Sequence, residues 1–353
     1  MNKIFYLEKS RLFSFLENIR KEYRVFSPAI KEEELGKEKD YFYTDFVPGC
    51  NFIFNPYRMV EPAKAFLTYP LERVAGYFGK DRDVIETEKT VILGAKNCDI
   101  TALKIQDFVF LEGVEMDSLY RAKRENTIFI SGDCTAFKDT CFCGALNITP
   151  YPESDFDLNL SPLNGGYILE VASGKGLELI KQFGASLKEA EDSQIALRKK
   201  NRDDLVEKLK KYLLPQNIPI TSSLQRLVRE GYNLDTWKKF MLTCVECGGC
   251  NLVCNTCHCF LLADTKENGI NSKTKLWDSC QYTNFSRVAG GANPLKTRAQ
   301  RFRNRFLKKF DFFLDNLKMS ACCGCGRCIE VCPGKIDIRE VLKDLASKLN
   351  VTK

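Results

Sequence analysis

Cys244, Cys247, Cys250 and Cys254 follow the spacing C-x2-C-x2-C-x3-C. Cys322, Cys325, Cys328 and Cys332 repeat it, the second time with Pro333 behind the last thiol. Thiolates at steps of three residues can fill three irons of one cubane, while the fourth iron takes a thiolate from farther away. This is the ligand pattern of a pair of [4Fe–4S] clusters, in which the last Cys of each run ligates the other cluster. The expected sets are therefore Cys244, Cys247, Cys250 and Cys332 for one cluster, and Cys322, Cys325, Cys328 and Cys254 for the other. All-thiolate clusters of this kind move single electrons. A proline after the last Cys stops regular helix; after Cys254 its place is taken by Asn255. Zinc sites group Cys and His as two separated pairs, so a third Cys at the same step would be superfluous for zinc. Disulfide-rich scaffolds are small and secreted, unlike this chain of 353 residues.

Other thiols could join this chemistry. Cys98 and Cys134 each follow a strand-like run, and Cys141-Phe142-Cys143 lies just beyond. Sites in parallel sheets assemble at the C-terminal ends of strands, so Cys98, Cys134, Cys141 and Cys143 could converge on a third cluster. The alternative is buried thiols acting as small apolar groups, against which stand the neighbouring Asp99, Asp133 and Lys138. Cys257, Cys259 and Cys280 form a further set, suited to part of a cluster, a substrate-facing thiol site or packing. Cys50 and Cys323 look solitary. His258, the one histidine, reads as a polar neighbour of a cluster, and its solitude excludes a Rieske centre and bis-His haem.

The elements that must position these thiols fall into two kinds. Leu12, Phe13, Phe15, Leu16 and Ile19 make a helical stripe within residues 8–22. Strand-like runs follow at 23–26 and 41–46, and Thr90–Ala95, Asn126–Ser131 and Tyr167–Val171 read as buried strands, with a helix over 99–111. Alternating strands and helices predict an α+β or α/β domain over residues 1–185. Residues 186–236 are charged and helix-prone, broken at Leu214–Pro219, and read as a helical linker. From 237 to 353 strand signals vanish. The long stretch between the two cysteine motifs predicts an α-helical ferredoxin domain carrying two [4Fe–4S] clusters. Between the motifs, Lys296, Arg298, Arg301, Arg303, Arg305, Lys308 and Lys309 make a basic stretch anchored by Phe302, Phe306 and Phe310. It is either a solvated helix face or a counter-charge that favours the reduced clusters.

Composition narrows the function. The formal charge is +7, but each oxidised all-thiolate cubane carries about −2, so three clusters nearly cancel it and the basic balance does not point to nucleic acid. No apolar run is long enough to span a membrane. The N-terminal Met1–Lys9 reaches charge too early for a secretory segment, and a cytoplasmic, reducing and anaerobic setting is expected for 17 cysteines. No G-x-G-x-x-G or Walker loop is present, so the chain is expected to bind no flavin or NAD and to exchange electrons with partners.

The motif order resembles the family of electron-transfer iron–sulfur subunits found in anaerobic sulfite reductase and, as the beta subunit, in sulfhydrogenase. The matching segments are Tyr23–Pro28, Cys98-Asp99-Ile100 with Ala102-Leu103, Asp133-Cys134, Cys141-Phe142-Cys143, Cys244–Cys259, Trp277–Cys280, Ala289–Gly291 and Cys322–Pro333. The resemblance implies that Cys98, Cys134, Cys141 and Cys143 belong to the family pattern, and it marks Cys257, Cys259 and Cys280 as family positions without a role. It also implies a relay of electrons between a flavin subunit that oxidises NAD(P)H and a catalytic subunit, either a sulfite reductase or a nickel–iron hydrogenase. Partnership with a heterodisulfide-reductase-like complex is an alternative, as is reduction of a sulfur compound at Cys257, Cys259 and Cys280. The chain is expected to have no substrate turnover of its own.

Overall fold

The computed structural model describes residues 3–30, 39–50, 52–77, 87–219, 221–267 and 269–350. The chain forms two compact units, each built from separate segments.

The first unit comprises residues 1–63, 85–139 and 148–211. Its mixed sheet runs in the order Tyr41–Asp45, Arg24–Ile30, Thr90–Ala95, Thr127–Gly132, Leu158–Leu163, Gly166–Val171, Ile4–Glu8 and Lys188–Glu189. The four strands from Arg24–Ile30 to Leu158–Leu163 are mutually parallel, which carries the ends of Thr90–Ala95 and Thr127–Gly132 to one edge. These two strands are buried along nearly their whole length and mostly apolar, as strands of a sheet covered on both faces are. Leu12, Phe15, Leu16 and Ile19 of the helix Leu12–Ile19 pack on Val91, Leu93, Ile128 and Ile130 as the stripe in the sequence requires. The helix Asn97–Leu111 starts directly after the third strand of the sheet, where the Asp99 side chain accepts the Lys96 N–H at 3.1 Å.

The second unit comprises residues 64–84, 140–147 and 212–353. This division differs from the boundaries expected at 185 and 236. Residues 71–76 pair as a strand with Ile270–Trp277, and Phe142 N–H donates to Gly324 O at 2.8 Å, so two early segments join the late unit. The helix Asp192–Leu213 belongs almost wholly to the first unit rather than to a linker.

The expectation that strands vanish after 237 is overturned. Phe260–Glu267 and Ile270–Trp277 form an antiparallel hairpin, and Leu71–Gly76 adds a third strand. The hairpin mixes Asp264, Thr265, Lys266, Ser272, Lys273, Thr274 and Lys275 with its apolar residues, so it lacks the apolar run of a core strand. The sequence Asn268-Gly269 is nevertheless a strong short-range hairpin signal, and Gly269 has φ +81°. The dicluster region is therefore helical with an appended three-stranded sheet. Its core is the buried aromatic ladder of Trp237 from the helix Thr236–Met241 with Phe302, Phe306 and Phe310 from the helix Arg298–Leu307 and the π-helical turn Lys308–Phe312.

Candidate iron–sulfur centre

The two cysteine motifs fold alike. Gly248 and Gly326 occupy the same motif position, have φ +73° and +74°, and cap the short helices Gly249–Leu252 and Arg327–Glu330. The left-handed turn after the second Cys sends the third back toward the first, which is where a side chain would be strained. Glu246 and Gly324, two residues earlier, are left-handed as well, at φ +58° and +62°.

The thiols stand around two cavities. Cys244, Cys247, Cys250 and Cys332 line one, with Phe302, Phe306 and Arg305. Cys254, Cys322, Cys325 and Lys309 line the other, again with Arg305, and Cys328 borders both. Each cavity thus receives the three leading thiols of one motif and the last thiol of the other. The first cavity reaches the surface at exposed Cys247, and Val245 on its lining is 65% exposed, as is Leu242 nearby in the sequence at 71%. At the second, Cys322 and Cys323 are buried and Cys254, Cys325 and Cys328 half-buried, and in that sense it is the enclosed cavity. Among the described residues no three Cys, His, Asp or Glu side chains close on a single ion.

Buried cations hold this sulfur-rich region. The Arg305 Nε donates to Asn251 Oδ1 at 3.0 Å and its Nη2 to Cys250 O at 3.4 Å. Lys309 Nζ donates to Cys254 Sγ at 3.2 Å, Thr256 Oγ1 at 3.1 Å and Ala321 O at 3.2 Å. Lys64 Nζ reaches Cys257 O at 2.8 Å and lies 4.4 Å from the centre of the Trp277 ring. All three residues are buried, and among the described residues none meets a carboxylate. An isolated buried ammonium is expensive, so the region needs anionic sulfur. Burial lowers the basicity of Lys64, whereas for Lys309 and Arg305 the neighbouring thiolates overcome burial and raise it. Burial pushes the thiols of Cys250 and Cys322 up to about 12, a cost that metal binding removes because the bound form is the thiolate.

The basic stretch divides into distinct roles. Arg301 pairs with Glu246 and bonds Gln281 O, Leu295 O and Lys296 O, which ties loops together. Arg303 stacks on Tyr232 at 3.5 Å. Arg305 and Lys309 face the thiols, while Lys308 lies 3.7 Å from Cys259 Sγ. Lys64 and Asn251 were not legible as site residues. Lys64 comes from a distant segment with no local signal, and Asn251 shows itself only by bonding Cys280 Sγ at 3.1 Å, Cys257 Sγ at 3.5 Å and Arg305. Asn255, in place of the usual proline, accepts the Lys64 N–H through Oδ1 at 3.5 Å.

The remaining thiols are distributed unevenly. Cys257, Cys259 and Cys280 gather around Asn251 and the lysines, and Cys280 is only 3% exposed. His258 sits among them with Nδ1 on Thr256 O at 3.1 Å; burial lowers it to about 4, so it is neutral. Cys98 and Cys134 lie at the ends of adjacent parallel strands in the first unit. Between those ends Lys96, fully buried, donates to Asp133 O at 3.0 Å. Asp133 itself is held by Arg202 at 2.7 Å and 3.1 Å and by Asn159 at 2.8 Å, and Lys138 pairs with Asp40 at 2.5 Å. Cys141 and Cys143 belong to the segment 140–147 of the second unit, beside Gly324 and Cys325. Cys50 packs on the apolar core, and Cys323 borders the enclosed cavity.

The profile of the 4Fe–4S dicluster domain matches residues 243–336, the stretch that carries both motifs. The chain is also 30% identical over 296 residues to sulfhydrogenase 2 subunit beta of Pyrococcus furiosus, covering 83% of this chain and 85% of that relative. The chain belongs to the sulfhydrogenase beta-subunit family. The donor set of this family member fits iron–sulfur clusters: thiols alone, spaced around two cavities, with buried cations to balance anionic sulfur. Among its described residues no helix is long and apolar enough to cross a membrane.

Proposed function

We propose that this chain is an iron–sulfur subunit that relays single electrons. The donor is a flavin-containing partner that oxidises NAD(P)H. The acceptor is a catalytic redox subunit of the sulfite reductase or nickel–iron hydrogenase type. The observation that carries the reading is the pairing of two thiol-lined cavities with three buried cations that, among the described residues, have no carboxylate partner. In this reading Cys244, Cys247, Cys250 and Cys332 hold one [4Fe–4S] cluster, and Cys322, Cys325, Cys328 and Cys254 hold the other. Bound there, such clusters supply one-electron capacity at potentials tuned by charge, hydrogen bonds and burial. The chain's own residues exclude water, fix the thiols and supply positive charge. The exposed Cys247, with apolar Leu242 and Val245 nearby in the sequence, makes the first cavity the natural point of exchange with a partner.

The same reading gives Cys98, Cys134, Cys141 and Cys143 a third cluster. What supports it bears on Cys98 and Cys134 alone, which follow adjacent strand ends around buried Lys96; Cys141 and Cys143 belong to the second unit. Reduction of a sulfur compound at Cys257, Cys259 and Cys280 is disfavoured because Cys280 is sealed from solvent.

The test is to reduce the purified chain with dithionite and follow its visible absorption and EPR signals. The absorption should bleach, recover with a one-electron acceptor, and be accompanied by no turnover of sulfite or polysulfide with reduced viologen. Turnover by the isolated chain, or the absence of any reducible chromophore, would overturn the relay.

A further inference from the structure

We infer that Lys309 makes the cluster in the enclosed cavity the more easily reduced of the two, so that a single electron entering this chain rests there. The inference rests on the two-cluster reading proposed above and adds an order between the clusters.

The asymmetry lies in which cation serves which cavity. Arg305 borders both, through Asn251 and Cys250 on one side and Cys328 on the other. It therefore favours reduction of both clusters and cannot rank them. Lys309 borders the enclosed cavity alone. Its ammonium donates to the Cys254 sulfur at 3.2 Å and also lies 3.7 Å from Cys257 Sγ. It is 3% exposed, fixed by Thr256 and Ala321 O, and meets no carboxylate among the described residues. In such a dry setting a charge-assisted N–H to sulfur contact is strong. Adding one electron makes the sulfur more anionic without moving a proton, so the contact strengthens on reduction and raises the potential.

Solvent reaching the other cavity at Cys247 favours the more charged reduced state there, and on this inference the direct Lys309 contact outweighs it. The local backbone is built for this placement. The π-helical turn Lys308–Phe312 lets successive residues address different thiols: Lys308 turns to Cys259, Lys309 to Cys254, and Phe310 stays in the core. Insertions of this kind occur at functional sites.

The experiment is an EPR-monitored redox titration of the full chain in wild type, Lys309→Met and Lys309→Arg, with iron and labile sulfide measured on each sample. Cys325→Ser, which alters only the enclosed cavity, assigns the two reduction steps. The wild type should show two steps, the higher belonging to the enclosed cavity. Lys309→Met should lower that step and leave the other in place, shifting the partition of the first electron by about tenfold or more. Lys309→Arg should keep the order. If Lys309→Met fails to retain its iron, Lys309→Gln takes its place with the same two outcomes. Steps that are unmoved, that move equally, or that assign the higher potential to the open cavity would overturn the inference. A wild type without reducible clusters would instead refute the two-cluster reading itself.

Discussion

The two thiol-bearing regions use buried lysine differently. In the second unit, Lys309 and Lys64 enter a region where eight motif thiols stand around two cavities and, among the described residues, no carboxylate answers the charge. In the first unit, Lys96 is as deeply buried, but its ammonium sits on the Asp133 carbonyl between two thiols, and nearby Asp133 is already held by Arg202 and Asn159. One region is built from two short repeated loops and the other from the ends of long parallel strands. The contrast teaches that a thiol-bearing region can be encoded locally, by spacing and a left-handed glycine, or only by the topology that brings separate strands together.

The sharpest way to break the comparison is to remove one thiol from each region. Cys325→Ser should cost about four iron atoms per chain and one EPR signal; retained iron would show that the enclosed cavity holds no cluster. Cys134→Ser should also cost up to about four while leaving the dicluster signals intact. Unchanged iron in that variant would leave the first unit's thiols structural and widen the contrast.

Within the dicluster region the twin glycines separate backbone from side-chain constraint. A Cβ on Gly326 would stand 2.4 Å from Thr140 O, whereas one on Gly248 would meet the more yielding Tyr282 side chain, 2.7 Å from its hydroxyl. Gly326→Ala should therefore lose more stability than Gly248→Ala, both by about 1 kcal/mol or more because φ is positive. Chemical denaturation of the cluster-loaded protein reads the difference, and equal losses would remove the claim of tighter packing at the enclosed cavity.

How much of this was legible follows the same division. The cluster motifs, the stripe Leu12–Ile19 and the strands around 90–95 and 127–132 were readable because their information is local and periodic. The hairpin Phe260–Trp277 was missed because its polar residues hid the alternation, although Asn268-Gly269 marked the turn. Lys64 and the discontinuous make-up of the second unit were not readable, since residues 64–84 and 140–147 join it through long-range pairing. Of seven basic residues between the motifs, only contact geometry distinguishes Arg305 and Lys309 from Arg301 and Arg303.

A smaller effect tests the periphery of the second unit. Burial alone would raise the Asp344 carboxyl, but hydrogen bonds from Lys239, Thr236 and Lys348 outweigh it and hold the group at about 2. A depressed carboxylate contributes stability that is present above its unfolded value near 4 and lost as the pH falls toward 2. Asp344→Asn should therefore reduce stability slightly at pH 7 and flatten its fall between pH 4 and 2 in thermal melts; identical profiles would show that this group of bonds contributes nothing.

The most direct measurement is iron and acid-labile sulfide per polypeptide in anaerobically purified, fully loaded protein, with EPR after dithionite. Clusters at the two motifs would give about eight of each, and a cluster on the third thiol set would raise this to about twelve. A colourless chain containing zinc and no labile sulfide would contradict the account.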